Sequence, residues 1–311
     1  LSGSCNIGIG WAGGIDKKNI ARFISHPQGD MNIAVLKTTR RIQMTTQEIT
    51  STNNAQRVSA TATDQYTLPQ ILGIWAIVTL PMVLLAWVAP PIVIPYVPLH
   101  PGVTYWLLLI VGMMWQFVVA LAITYRELGT LRWSAIRQRT WLQTPRDPKT
   151  DQPNPKLYWW LIPPLLFNAL AGMVLAGYLD APMGWLFPTL KPPFEMSQLI
   201  TPDFQGQWWL FGVVLVSHLF NYFLGEAFLW HGVLLPKMQG VFGKYDWVAN
   251  AVIFGFYHLH KPWALPSVIV TNLAYSWPAR RFRSNWMAII VHGVEGIPGL
   301  VITLAVILGL M

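Results

Sequence analysis

The run LGEAFLWHGVLLPKMQG, Leu224–Gly240, decides how this chain is read. It is an apolar helical stretch that carries a carboxylate, Glu226, and five residues later a histidine, His231. A carboxylate in hydrocarbon costs about 2.5–3.5 kcal/mol even on lenient insertion scales. A helix that keeps one there turns it toward a partner or a cavity rather than toward lipid. Two further apolar runs each hold an ionisable group: AVIFGFYHLHKPW contains His258 and NWMAIIVHGVEG contains His292.

The composition fits a membrane setting. Of 311 residues, 53% are hydrophobic and 11% charged, against about 25% charged in soluble domains; the mean hydropathy is +0.41. The chain reads as an all-α, polytopic membrane protein. Its net charge of +8 then belongs to membrane topology and not to nucleic-acid binding, because Lys and Arg sit in short loops between apolar runs and not on one soluble face. Among the 17 Trp, Trp159, Trp160, Trp208 and Trp209 flank apolar runs as interfacial belts do. The single cysteine, Cys5, excludes an internal disulfide framework.

Three regions are expected. Residues 1–67 are polar and read as a disordered tail, with Met44 as the expected start of the functional chain. Residues 68–156 hold two spans and a basic loop, and residues 157–311 hold the core. About seven spans are expected, near 71–93, 103–124, 157–179, 208–235, 247–258, 264–277 and 286–310, the last interrupted at Gly296-Ile297-Pro298-Gly299. The Pro-rich stretch 180–205 reads as an interfacial loop. The basic segments 125–156, 237–244 and 280–283 all fall on one side of such a bundle. The positive-inside rule makes that side cytoplasmic, with the N-terminus inside and the cell membrane as the expected location. Counted from these basic turns at 1.5 Å per residue, Glu226, His258 and His292 lie about 16, 21 and 14 Å deep. All three thus sit near the middle of a core about 30 Å thick.

A carboxyl removed from water takes up a proton more readily, which suits a general base working near neutral pH. An imidazole can share a water with it, and a third group can donate to a developing oxyanion. Each residue also has a plainer use. Glu226 can pair with a neighbour to fix helix packing, and His292 has Glu295 on its own face three residues on. His218 and Asn221 can bridge helices, Phe254 can simply pack against His258, and His260 reads as interfacial. Glu226 and His231 stand about 140° apart on an ideal helix, so direct contact between them is not expected.

Taken together, the three stretches resemble the CPBP family of intramembrane proteases, which includes the type II CAAX prenyl endopeptidases and the bacteriocin-processing, self-immunity (Abi-like) proteins. That family carries EExxxR, FxxxH and HxxxN on successive helices. Here Glu226-Ala227-Phe228-Leu229-Trp230-His231, Phe254-Gly255-Phe256-Tyr257-His258 and His292-Gly293-Val294-Glu295-Gly296 stand in their places. The resemblance covers about residues 160–300. It implies that Glu226 and His258 activate water, that His292 helps hold the oxyanion, that His231 and Phe254 support them, and that no metal is required. It departs at Ala227, at His231 in the arginine position, and at Gly296, where the asparagine's share of the oxyanion role has no occupant. The expected function is an intramembrane endopeptidase acting on a membrane-associated or lipidated peptide or protein, its cavity facing the cytoplasmic side and membrane lipid its surroundings. Three alternatives stand beside this: a catalytically inactive adaptor or self-immunity protein on the same scaffold, a proton-coupled transporter, and a zinc site at Glu226, His258 and His292.

Overall fold

The computed structural model describes residues 65–189, 191, 193–194 and 196–311. The proposed tail therefore lies outside the described residues except for its last three, and so does Met44. Those last residues are tied down: Tyr66 N donates to Lys237 O at 2.9 Å, and Gln65 Oε1 accepts from Gly240 N at 3.1 Å.

Among the described residues the fold is all-helical. Helix α1 spans Leu68–Tyr96, α2 Pro101–Leu128, α4 Pro155–Leu186, α5 Trp209–Lys237 and α8 Asn285–Ile307; these five are long and apolar enough to cross a membrane. The shorter α3 (Trp133–Arg139), α6 (Asp246–Tyr257) and α7 (Leu265–Phe282) lie between them. The termini follow from local chemistry. Gln70 Oε1 accepts from Thr67 N at 2.8 Å at the start of α1. His100 Nδ1 accepts from Gly102 N at 3.2 Å at the start of α2, and Gly129, at φ +64, ends α2 in the left-handed conformation. The last apolar run is two helical halves, Asn285–Glu295 and Ile297–Ile307, joined at Gly296.

The expected count of seven spans is not reached by length and composition. Helix α6 has 12 residues, about 18 Å of rise, too short for a core of about 30 Å. Helix α7 buries Thr271, Asn272 and Ser276; its polar side chains face protein. Asp246 at the head of α6 pairs with Arg280 near the end of α7, and Ser276 Oγ donates to Asn250 Oδ1 at 2.9 Å. The two helices therefore form an antiparallel hairpin. Its tip, residues 258–264, is pinned at α7 by Asp180 of α4, which accepts from Ser267 N at 2.8 Å.

The three basic segments pack together at one end of the bundle. Arg146 N donates to Phe282 O at 2.8 Å and Asn285 N to Trp141 O at 2.7 Å. Arg139 Nη2 reaches Val233 O at 3.1 Å. Trp159 and Trp160 are exposed at this end, and Trp208 and Trp209 at the opposite one, as two belts require. On α4, Met173 is 77% exposed, an apolar surface suited to lipid. The chain is an integral membrane protein.

Candidate active site

Helix α5 does not run as a regular α-helix. It is α-helical over Trp209–His218, π-wound over Leu219–Leu224, and π-wound again over Ala227–Leu234. The break lies at Gly225, whose N–H donates to Phe220 O at 2.7 Å, five residues back. Gly225 is needed for close approach: a Cβ there would lie 2.7 Å from the carbonyl oxygen of Met113 on α2. The wider winding brings residues five apart onto one face. Asn221 therefore reaches Glu226, and with its amide oriented to donate it lies 3.1 and 2.9 Å from the two carboxylate oxygens.

Glu226, His258 and His292 converge from α5, the tip of the hairpin and α8. Each is 4% exposed. His258 Nε2 lies 3.9 Å from Glu226 Oε1. His292 Nε2 lies 3.6 Å from Glu226 Oε2 and 3.8 Å from Glu295 Oε2. These separations exceed direct hydrogen-bond length, and a water beside the pair can reach both Glu226 and His258. His258 Nδ1 lies 2.9 Å from Phe254 O. A carbonyl only accepts, so in the neutral ring Nδ1 carries the proton and the bare Nε2 faces Glu226.

A buried chain reaches the wall that carries the carboxylate. Trp230 Nε1 donates to Gln116 Oε1 at 3.0 Å, and Gln116 Nε2 donates at 2.7 Å to the hydroxyl of Tyr257, which lines the same cavity wall as Glu226. Such linked bonds fix an orientation better than any one of them alone. His292 is held by rings: it stacks on Tyr275 at 4.7 Å and meets the edge of Tyr222 at 4.8 Å. Phe254 packs at the centre, 4.6 Å from His258 and 6.1 Å from His292. Tyr275 also donates to Glu295, so Glu295 is more than a local partner of His292.

His231 lies behind this cluster, its ring 6.1 Å from those of Phe254 and Tyr275. It is fully buried and its Nε2 lies 3.0 Å from Asn272 Oδ1 on α7. The expectation that it avoids Glu226 assumed regular winding; here the winding is π, and Asn272 supplies the partner instead. Gln116 and Tyr257 carried no signal in the sequence, since neither lies in a motif position. For zinc, no group of three or more His, Cys, Asp or Glu arranged to hold a metal ion occurs among the described residues.

The site opens on a cavity of about 980 Å³. Glu226, His258, Asn221 and Tyr222 lie at its inner wall; Phe194, Leu199 and Ile200 of the 187–208 connection and Val306 of α8 lie at its far end. The cavity therefore runs away from the basic loops. The expectation places the cavity on the side of the basic loops; its outer residues lie instead at the other end of the bundle, which loop charge does not encode.

Residues 207–295 match the family model described as type II CAAX prenyl endopeptidase Rce1-like. The matched segment starts at the head of α5 and ends at Glu295, and so contains all three convergent residues. No curated protein and no solved structure matches the chain.

Proposed function

We propose that this chain, whose residues 207–295 match the Rce1-like family model, is an intramembrane protease of the CAAX/CPBP type that hydrolyses a peptide bond of a membrane-associated or lipidated substrate. The observation that carries the reading is the convergence of Glu226, His258 and His292, with Glu226 and His258 at the wall of one large cavity. A water between Glu226 and His258 gives a proton to the carboxylate as its oxygen attacks the scissile carbonyl carbon. The carbonyl π pair moves onto oxygen, and His292 stabilises the resulting oxyanion. When that oxygen re-forms the double bond, the C–N bond breaks and the leaving nitrogen takes the proton from Glu226. One water is consumed, and an acid and an amine are released. The residues supply base and electrostatic stabilisation themselves, so no metal or cofactor is invoked. On the positive-inside rule the basic end is cytoplasmic, the N-terminus is inside, and substrate enters from the other face.

The test uses a quenched-fluorescent farnesylated peptide offered to membranes that contain the protein. Cleavage by wild type that falls at least about 10²-fold in Glu226→Gln supports the reading; cleavage unchanged by that substitution refutes it. One observation favours the adaptor instead: Asn221 already donates to both oxygens of the Glu226 carboxylate, which suits a structural role. In that case wild type binds membrane partners and cuts nothing.

A further inference from the structure

We infer that the Tyr222 hydroxyl is the second oxyanion donor of this site, standing in for the side chain that Gly296 lacks; this rests on the hydrolytic reading above. Gly296 is bare because α5 fills its space. A Cβ at position 296 would lie 2.7 Å from His218 Nε2 and nearer still to the Tyr222 ring. His218 Nε2 already holds the Gly296 carbonyl at 2.8 Å. The volume that a polar side chain on α8 would occupy therefore belongs to His218 and Tyr222.

The choice of Tyr222 among the cavity's polar groups follows from its place beside His292 and against Gly296. Both His218 ring nitrogens face carbonyls, Val214 O and Gly296 O, each at 2.8 Å. Asn221 donates to Glu226. Ser217 accepts from Trp106 Nε1 at 3.0 Å, and Thr303 donates to Gly299 O at 2.8 Å. Tyr222 lines the cavity, with its ring against both His218 and His292 at 5.0 and 4.8 Å. Asn221, the residue before it, holds Glu226, so Tyr222 stands next to the base's own partner and beside His292. Its hydroxyl can turn to the oxyanion as charge develops.

Four variants test this on the farnesylated peptide and on a farnesylated phosphinate that mimics the tetrahedral state. Tyr222→Phe keeps the ring and removes one donor. Its kcat is expected to fall about 10²–10³-fold, with KM within about twofold and phosphinate affinity reduced at least tenfold. Gly296→Asn alone is expected to lower the Tm, and Tyr222→Ala/Gly296→Asn to restore it with part of the kcat. Lys261→Met, which removes the cation at the cavity wall, is expected to keep the phosphinate affinity. Full kcat and phosphinate affinity in Tyr222→Phe, or a Gly296→Asn protein as stable as wild type, overturns the inference. If wild type cleaves nothing, the hydrolytic reading fails; phosphinate binding and the stability comparison still decide whether Tyr222 holds the place.

Discussion

His292 Nε2 lies between two carboxylates, 3.6 Å from Glu226 and 3.8 Å from Glu295. The first belongs to α5 and the second to its own helix, so the site depends on how α5 packs against α8. That packing is tight at Gly296, and on its other side α5 meets α2 closely at Gly225.

Glu226 sits where function and stability conflict. Glu226→Gln keeps an acceptor oxygen for Asn221 while removing a charge from a buried site, where a charge costs more than a hydrogen-bonded amide. The expected outcome is a Tm equal to or above wild type together with cleavage lost by about 10²-fold or more. Thermal unfolding in detergent and peptide cleavage, measured on the same preparation, check both halves.

Gly225→Ala places a Cβ 2.7 Å from the Met113 carbonyl oxygen. Backbone cannot swing aside as a side-chain tip can, so α2 and α5 must separate. A loss of about 1–3 kcal/mol is expected, seen as a lower Tm, together with reduced cleavage because Glu226 is the next residue. Unchanged stability and activity would show that the two helices do not meet there.

At the basic end, a hydrogen bond from Arg146, with Arg283 nearby, holds the Asp151 carboxyl below its ordinary range. A depressed carboxylate contributes stability above its unfolded value and loses it as the pH falls through the folded one. Asp151 is half exposed, so the contribution belongs at the low end of about 0–1 kcal/mol. Hydrogen exchange over residues 146–154 is expected to quicken below about pH 4, and Asp151→Asn to abolish that dependence.

The cavity and the basic loops occupy opposite ends, which gives a topological outcome. In a Cys5→Ser background, Ile200→Cys is expected to react with a membrane-impermeant thiol reagent added to intact cells. Arg281→Cys is expected to react only after permeabilisation. The reverse pattern would place the cavity mouth on the cytoplasmic face.

The sequence made the helical class legible, together with the depth shared by Glu226, His258 and His292, because both depend on apolar run length and on distance from basic turns. It hid whatever depends on winding and on third parties. The Asn221–Glu226 contact needs the π-wound turn before Gly225, which periodicity at 3.6 residues misreads as opposite faces. Gln116 enters the site from α2, a helix with no motif. The α6–α7 hairpin looked like two spans because its apolar residues resemble those of lipid-facing helices, although Asn272 and Ser276 are buried. The empty position at Gly296 read as a missing group, and its explanation, the Tyr222 and His218 rings, lies on another helix.

The central claim is proteolysis by Glu226 and His258. The most direct measurement compares peptide termini, genome-wide, in membranes that express wild type, Glu226→Gln or His258→Ala at equal abundance. The account predicts new termini that occur with wild type alone and map to membrane-held proteins. Identical termini in all three, with every variant folded, would contradict it and leave the site as a structural or binding element.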